Sequence, residues 1–250
     1  MEASKKFILK LADTYHCQII EGNDTFFIIK WSWDYQQALA FQLEMVQLVR
    51  INREIKIFIL CSHPHCFTMG RGLQKGKEVQ QAGLIDFDWA QASKLCYPTH
   101  QIKRGGGITF HYPGQLIIYP IVNLGHGEFS VKSLINFLAQ IVEEVLFKRG
   151  GGPLSHDRPL LGIWHKDKKL ASIGFALEHF VTYHGLALNV LFDNTIFAEL
   201  AKINPCGLGV DRYSTVEESF GNLVAFSSNK EKLIPILGDE IIAQIRERIS

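Results

Sequence analysis

Side chains recur at helical spacing in two long stretches of the chain. In the first, Tyr35, Ala38, Leu39, Gln42, Met45, Val46 and Val49 fall three or four apart, which predicts a helix through Arg50 with Ser32 as its N-cap. In the second, Val131, Leu134, Ile135, Leu138, Ile141, Val142 and Val145 repeat in the same way. Ser130 stands as the cap there, Lys148 and Arg149 suit the C-terminal dipole, and Gly150 ends the element. A shorter stripe of Ile241, Ile242, Ile245 and Ile249 lies in residues 231–250, where Pro235 and Gly238 are expected to divide the segment into two pieces.

Other stretches read as strands. Residues 1–6 lead into a strand-like run, and residues 17–20 and 25–30 flank a turn at Asn23 and Asp24. Residues 55–61 are so continuously apolar that both faces of the strand must be covered. Residues 75–95 are a polar connection with a short helix, and residues 99–103 are a strand entering a glycine run. Ile108, Phe110 and residues 116–119 are β-branched, aromatic or aliphatic on either side of a Tyr112-Pro113-Gly114 turn. Residues 150–153 form a loop. Residues 162–169 alternate into a tight turn around Asp167, residues 170–174 return from it, and residues 182–189 make a further strand. The fold expected is α+β: a single domain over residues 1–250, with a central mixed β-sheet built from both halves and flanked by the helices that start at Tyr35 and Val131.

Composition removes whole classes of function. With 26 basic against 25 acidic residues the net charge is +1, which gives no electrostatic case for nucleic acid or a membrane surface as partner. No apolar run reaches the ~18 residues of a membrane span, and the opening residues do not resemble a targeting peptide. Five cysteines, an odd number without paired spacing, fit a reducing compartment better than a disulfide framework. A cytoplasmic monomer with no nucleic-acid or membrane partner is the expectation.

Candidate chemistry centres on three places. Gly105, Gly106 and Gly107 mark a spot where a ligand or another backbone comes close, with Arg104 placing a positive charge beside it and His111 at the following turn. The same residues suit an ordinary bulged hairpin. Cys206 lies in a Pro-Cys-Gly bend, where Pro205 fixes one dihedral and Gly207 permits unusual ones, so its thiol is presented rather than packed. Cys17, Cys61 and Cys96, in apolar or strand-like context, are expected to be inert. Lys166, Lys168 and Lys169 crowd one turn, and local pattern does not choose among them. His63, His65 and Cys66 carry zinc-ligand chemistry, but their spacing is cramped and no second Cys/His pair accompanies them, so no metal site is expected.

Residues 104–115 resemble the Arg-Gly-Gly-x-x-Thr-(aromatic)-His-x-Pro-Gly-Gln signature of the lipoyl(octanoyl) transferases. Further segments are similar in the same order: Tyr35-x-x-Ala38-x-x-x-Gln42, Phe67-Thr68-Met69-Gly70-Arg71, Gly162-Ile163-Trp164 with Lys169-Leu170-Ala171-Ser172-Ile173-Gly174, residues 184–189, and Asn204-Pro205-Cys206-Gly207. The resemblance implies the fold shared by the catalytic domains of biotin and lipoate protein ligases. It implies Cys206 as nucleophile and Lys169, set by the register of the strand after it, as catalytic lysine. The substrate wall would be Arg104, Gly105, Gly106, Gly107, Ile108, Thr109, Phe110 and His111 with Ser172, Ile173, Gly174, His184, Gly185, Leu186 and Ala187. No cofactor is implied. The donor would be octanoyl-acyl carrier protein, and the acceptors the lipoyl domains of 2-oxoacid dehydrogenase E2 subunits and the glycine cleavage H protein. Two alternatives are an ATP-dependent lipoate–protein ligase of the same fold, toward which Gly107 leans, and a non-catalytic acyl- or cofactor-binding module. Residues 113–115 and the cysteine turn favour the transferase.

Overall fold

The computed structural model describes residues 2–72, 89–156, 160–203, 208–221 and 230–249. In chain order the first half gives α1 (Glu2–Thr14), β1 (Gln18–Glu21), β2 (Thr25–Lys30), α2 (Tyr35–Ile51), β3 (Lys56–Cys61), β4 (Cys66–Gly72), β5 (Thr99–Gln101), β6 (Gly106–His111) and β7 (Gln115–Ile121). The second half gives α3 (Val131–Lys148), β8 (Gly162–His165), β9 (Lys168–Glu178), β10 (Val181–Asn189), α4 (Asn194–Leu200), α5 (Val216–Ser219) and α6 (Leu233–Ile249).

These make a seven-stranded sheet in the order β1-β2-β3-β7-β10-β9-β8, parallel only between β2 and β3, and a small sheet in the order β5-β4-β6. Strand periodicity of two explains how the large sheet is covered on both sides. Phe27, Ile29, Phe58, Leu60, Leu116 and Ile118 face α3 and α6, while Phe26, Ile28, Ile57, Ile59, Ile117 and Tyr119 face α1 and α2. This is a single α+β domain with a mixed central sheet flanked by helices.

Three expectations are corrected. The chain opens with the α1 helix rather than a strand: Ile8, Leu11, Ala12 and Tyr15 recur at helical spacing and pack into the core beneath α2, so the apolar run at residues 7–9 is one turn of a helix. The cap of α2 is Asp34, whose side chain accepts from the Gln37 N–H at 3.0 Å; Ser32 instead takes a left-handed φ of 53°. The C-terminal helix α6 is unbroken. Pro235 falls in its first turn, where no N–H is needed, and the buried Gly238 lets the helix close on Trp31 and Leu60. Strand β7 runs through Pro120 to Ile121, with Pro120 paired to Phe58.

Pro120 is tolerated in a central strand because the ladder on its other side is open. Pairing of β7 with β10 ends at Ile118↔Leu186 and resumes at the Asn123↔Val181 bridge. In the gap, Thr182 Oγ1 donates to the Pro120 carbonyl at 2.7 Å and accepts from the Val122 N–H at 3.1 Å. Opposite Pro120, His184 takes a left-handed φ of 57°, and its N–H finds the Gln42 side chain on α2 at 2.8 Å. The break in the ladder thus positions His184, and the site is built beside it.

Candidate functional site

A cavity of about 330 Å³ lies between the glycine run, the middle of β9 and β10, and the start of α3. Its glycine wall exists because backbones approach there without side chains between them, within the small sheet and between it and β9. A Cβ on Gly70 would sit 2.3 Å from the Gly106 carbonyl oxygen, and one on Gly174 would sit 3.0 Å from that of Gly105. Gly106 itself has a φ of 78°, a left-handed conformation that favours glycine. The Gly105 N–H then donates to the Phe175 carbonyl at 3.0 Å and ties the small sheet to β9.

Arg104 is buried and held in place. Its guanidinium donates to the Thr68 carbonyl at 2.9 Å, Thr68 Oγ1 at 2.8 Å, Thr109 Oγ1 at 2.7 Å and the Gly105 carbonyl at 3.0 Å. The network continues from there. Gln115 Nε2 donates to the Phe110 carbonyl and to Asn189 Oδ1, which orients the amide so that its oxygen accepts from His111 Nδ1–H at 2.9 Å. Thr68 Oγ1 already accepts from Arg104, so it donates to His111 Nε2 at 3.2 Å. His111 is therefore a neutral imidazole with its proton on Nδ1. Burial drives its pKa well below the usual histidine range, and His63 pushes in the same direction.

Two more histidines are neutral for related reasons. His63 donates from Nδ1 to the Trp33 carbonyl at 2.6 Å and accepts the Tyr119 hydroxyl proton at Nε2 across 2.9 Å, while burial lowers its pKa to about 4. His184 is lowered to about 3, chiefly by burial and then by the nearby Arg104 charge; its Nε2 is buried without a hydrogen-bond partner among the described residues. Tyr35 stacks on His111 and His100 and meets His63 edge-on, so rings fill the inner end of the cavity. Arg104 supplies a permanent positive charge on this wall, because the imidazoles around it do not ionise at neutral pH.

At the other end lies Lys169. Strand β9 carries one residue more than β8 between the pairs Ile163↔Ala171 and Trp164↔Lys169, a β-bulge at Leu170. The extra residue turns Leu170 into the core and leaves Lys169 on the same face as Ser172 and Gly174. Lys169 is only 2% exposed and lines the cavity, whereas Lys166 and Lys168 are exposed at the turn. Ser214 N–H donates to the Lys169 carbonyl at 3.2 Å, joining this end to Asn189, whose side chain donates to the Ser214 carbonyl.

Of the residues named for the substrate wall, all but Phe110 line this one cavity. Phe110 turns away into a separate cluster with Phe67 and Tyr97. Sequence reasoning did not name Tyr119 and Tyr35 on the inner wall, nor the apolar rim of Val131, Leu160, Leu161 and Leu177; Tyr35 was visible as the first residue of the helical stripe. Cys206 falls at residues 204–207, outside the described residues, although Tyr213 beyond it lines the cavity. Burial raises the thiol pKa of Cys17 to about 11, of Cys66 to about 12, and of Cys61 well above the usual value. Cys96, expected to be packed, is instead exposed, with the Lys202 ammonium 3.3 Å from its sulfur. His65 is separate from the other two candidate ligands, bonding Asp193 at 3.1 Å.

The catalytic-domain model of the lipoyl protein ligases A and B matches residues 34–236, most of the chain and every wall of this cavity. The chain belongs to this family. Curated members include an octanoyltransferase of Bacteroides thetaiotaomicron, 34% identical over 224 residues, covering 84% of this chain and 93% of that protein. A chloroplastic octanoyltransferase of Arabidopsis thaliana is 31% identical over 193 residues, 77% of this chain and 64% of its own length. Among solved structures, lipoate-protein ligase A bound with ATP superposes with a TM-score of 0.58 at 14% identity, covering 91% of this chain and 85% of that one. LipL1 of P. falciparum, in complex with lipoate, gives 0.62 at 13% identity over 91% of this chain and 63% of its own. At such identities the structures establish the shared fold of the family.

Proposed function

We propose that this family member is an octanoyltransferase of protein lipoylation, taking its acyl group from octanoyl-acyl carrier protein and passing it to a lysine of a lipoyl domain through a thioester on Cys206. The observation that carries the reading is the placement of Lys169 in one cavity with the glycine wall and the Ser172–Gly174 and His184–Ala187 strand segments. Its relatives in Bacteroides and Arabidopsis bear the octanoyltransferase name, which supports the choice of acyl group.

The chemistry follows from the groups present. The Cys206 thiolate attacks the donor thioester carbonyl; its new C–S bond forms as the carrier's C–S bond breaks, and the carrier thiolate takes a proton from the Lys169 ammonium. Neutral Lys169 then accepts a proton from the incoming lysine amine as that nitrogen forms the amide and the Cys206 thiolate leaves. An octanoyl chain has six methylenes, whose burial at ~0.8 kcal/mol each contributes about 5 kcal/mol, and the Leu160, Leu161, Ile135 and Ile173 wall supplies the apolar surface. The reaction calls for no cofactor, and the acceptors proposed are the lipoyl domains of 2-oxoacid dehydrogenase E2 subunits and the glycine cleavage H protein.

A second reading, ATP-dependent lipoate ligation, keeps Gly107 and the ligase-like superpositions in its favour. Incubation with octanoyl-acyl carrier protein separates the two. We expect intact mass to rise by one octanoyl group without ATP, with the adduct cleaved by hydroxylamine. A requirement for ATP points to the ligase, and no adduct under either condition points to a binding module.

A further inference from the structure

The Lys169 side chain lies in a slot that the family resemblance does not explain. A Cβ placed on Gly162 would fall 2.5 Å from Lys169 Cε, so the lysine stem runs directly across the bare backbone of β8. Its ammonium then sits 5.7 Å from the centroid of the Trp164 ring. The bulge at Leu170 puts the two on one face, since Trp164 pairs directly with Lys169. Trp164 is itself held by one side-chain and two backbone hydrogen bonds. Its Nε1–H donates to the Leu160 carbonyl at 3.2 Å, and its backbone exchanges hydrogen bonds of 2.8 and 2.9 Å with Ser155. Trp164 is 2% exposed and does not line the cavity, so it touches the lysine rather than a substrate.

We infer that Trp164 is a positioning residue for Lys169: its ring face holds the ammonium at the cavity wall, and Gly162 leaves the stem the room to reach it. This rests on the reading of Lys169 as the acid/base group. A buried ammonium is poorly solvated, which favours the neutral amine, and the negative face of an indole opposes that preference. The slot therefore does two things at once. It fixes where the nitrogen sits, and it keeps the nitrogen charged until a proton is needed.

The test replaces Trp164 with a ring-fluorinated tryptophan, which has nearly the same shape and a weakened negative face, and adds Trp164→Phe and Trp164→Leu. The ionisation midpoint of Lys169 is read by NMR on isotopically dimethylated lysine, assigned with Lys169→Arg. We expect the midpoint to fall in the order Trp, Phe, fluorotryptophan or Leu, by about one pH unit across the series. Turnover should fall while KM for octanoyl-acyl carrier protein stays unchanged. The fluorinated protein carries the test if the leucine variant fails to fold. One midpoint shared by tryptophan and fluorotryptophan overturns the inference while Lys169→Met remains inactive, so the acid/base reading survives. Full turnover in Lys169→Met overturns that reading and the positioning role with it, whatever the midpoints do.

Discussion

Three neutral histidines buried at one end of the cavity make acid the sharpest perturbation available. In the folded protein His63 ionises only near pH 4, His184 only near pH 3, and His111 well below the usual histidine range, all chiefly because burial penalises the imidazolium. In the unfolded chain each ionises near pH 6.5. The folded values are depressed, so the neutral form that the fold requires is free above pH 6.5 and must be held against protonation below it. Stability is therefore complete above that pH and is lost as pH falls. At pH 5 the unfolded chain has gained nearly one proton at His63 and one at His184 that the folded chain has not, a loss of about 2 kcal/mol each or about 4 kcal/mol together, and His111 acts in the same direction. Against the 5–15 kcal/mol typical of whole domains, a loss of about 4 kcal/mol or more is a large share.

Urea unfolding at pH 8, 6.5 and 5 measures this directly. The unfolding free energy should be level between pH 8 and 7 and fall steeply from pH 6.5 to 5, with His100, shifted the same way by burial, adding to the slope. Carboxylates do not confuse the window. Against a desolvation that pushes both upward, hydrogen bonds from Thr195 and Lys230 hold Asp193 and Glu217 below the ordinary carboxylate range, so their contribution is lost at lower pH. His63→Gln should reduce the slope, whatever it does to stability at pH 8. A level profile from pH 6.5 to 5, or an unchanged slope in His63→Gln, would refute the reasoning.

Three predictions concern the site itself. Gly185→Ala places a Cβ 2.2 Å from the Ile118 carbonyl oxygen and 2.8 Å from Pro120 Cδ, both fixed by the sheet; it should cost about 2 kcal/mol or more as a lower thermal midpoint and should abolish acyl transfer, and a variant as stable and active as the parent would show that the β7–β10 gap is not rigid. Cys206→Ser should abolish the octanoyl adduct, while Cys66→Ser, in a buried site where the thiol is pushed up to about 12, should retain it. Lys169→Met should slow iodoacetamide alkylation of Cys206 near neutral pH, and Lys169→Arg should alkylate readily yet transfer poorly to an amine, since arginine keeps the charge but takes no proton.

Much of the fold was legible because the sheet is covered on both faces. A strand buried on two sides is apolar without interruption, and residues 55–61 and 116–119 read that way from their residue types alone. The misreadings share a cause. Phe7-Ile8-Leu9 looks like a strand when taken alone and like a helix only when Leu11, Ala12 and Tyr15 are counted with it. Pro235 looks like a breaker unless the helix is known to start beside it. Short-range signals were outweighed by where the element began and what covered it. His184 was the opposite case: its segment was read correctly as a strand, but its left-handed backbone depends on a ladder that opens opposite Pro120, two strands that are remote in sequence.

The lysine turn shows most clearly what a sequence withholds. Strict alternation from Ser172 backwards places Leu170 and Lys168 on the Ser172 face and Lys169 on the opposite one. Alternation alone thus runs against the motif register that points to Lys169. The bulge resolves the conflict, because one additional residue at Leu170 reverses the faces of everything before it and brings Lys169 over Gly162 and against Trp164. The small residue and the aromatic ring of β8 are thus the partner strand's half of the same device. Without the gap at Gly162 the stem could not cross the strand, and without the bulge the ammonium would face the core. The alternation that identifies a strand is here broken at the one position where the proposed chemistry needs a charge inside the cavity.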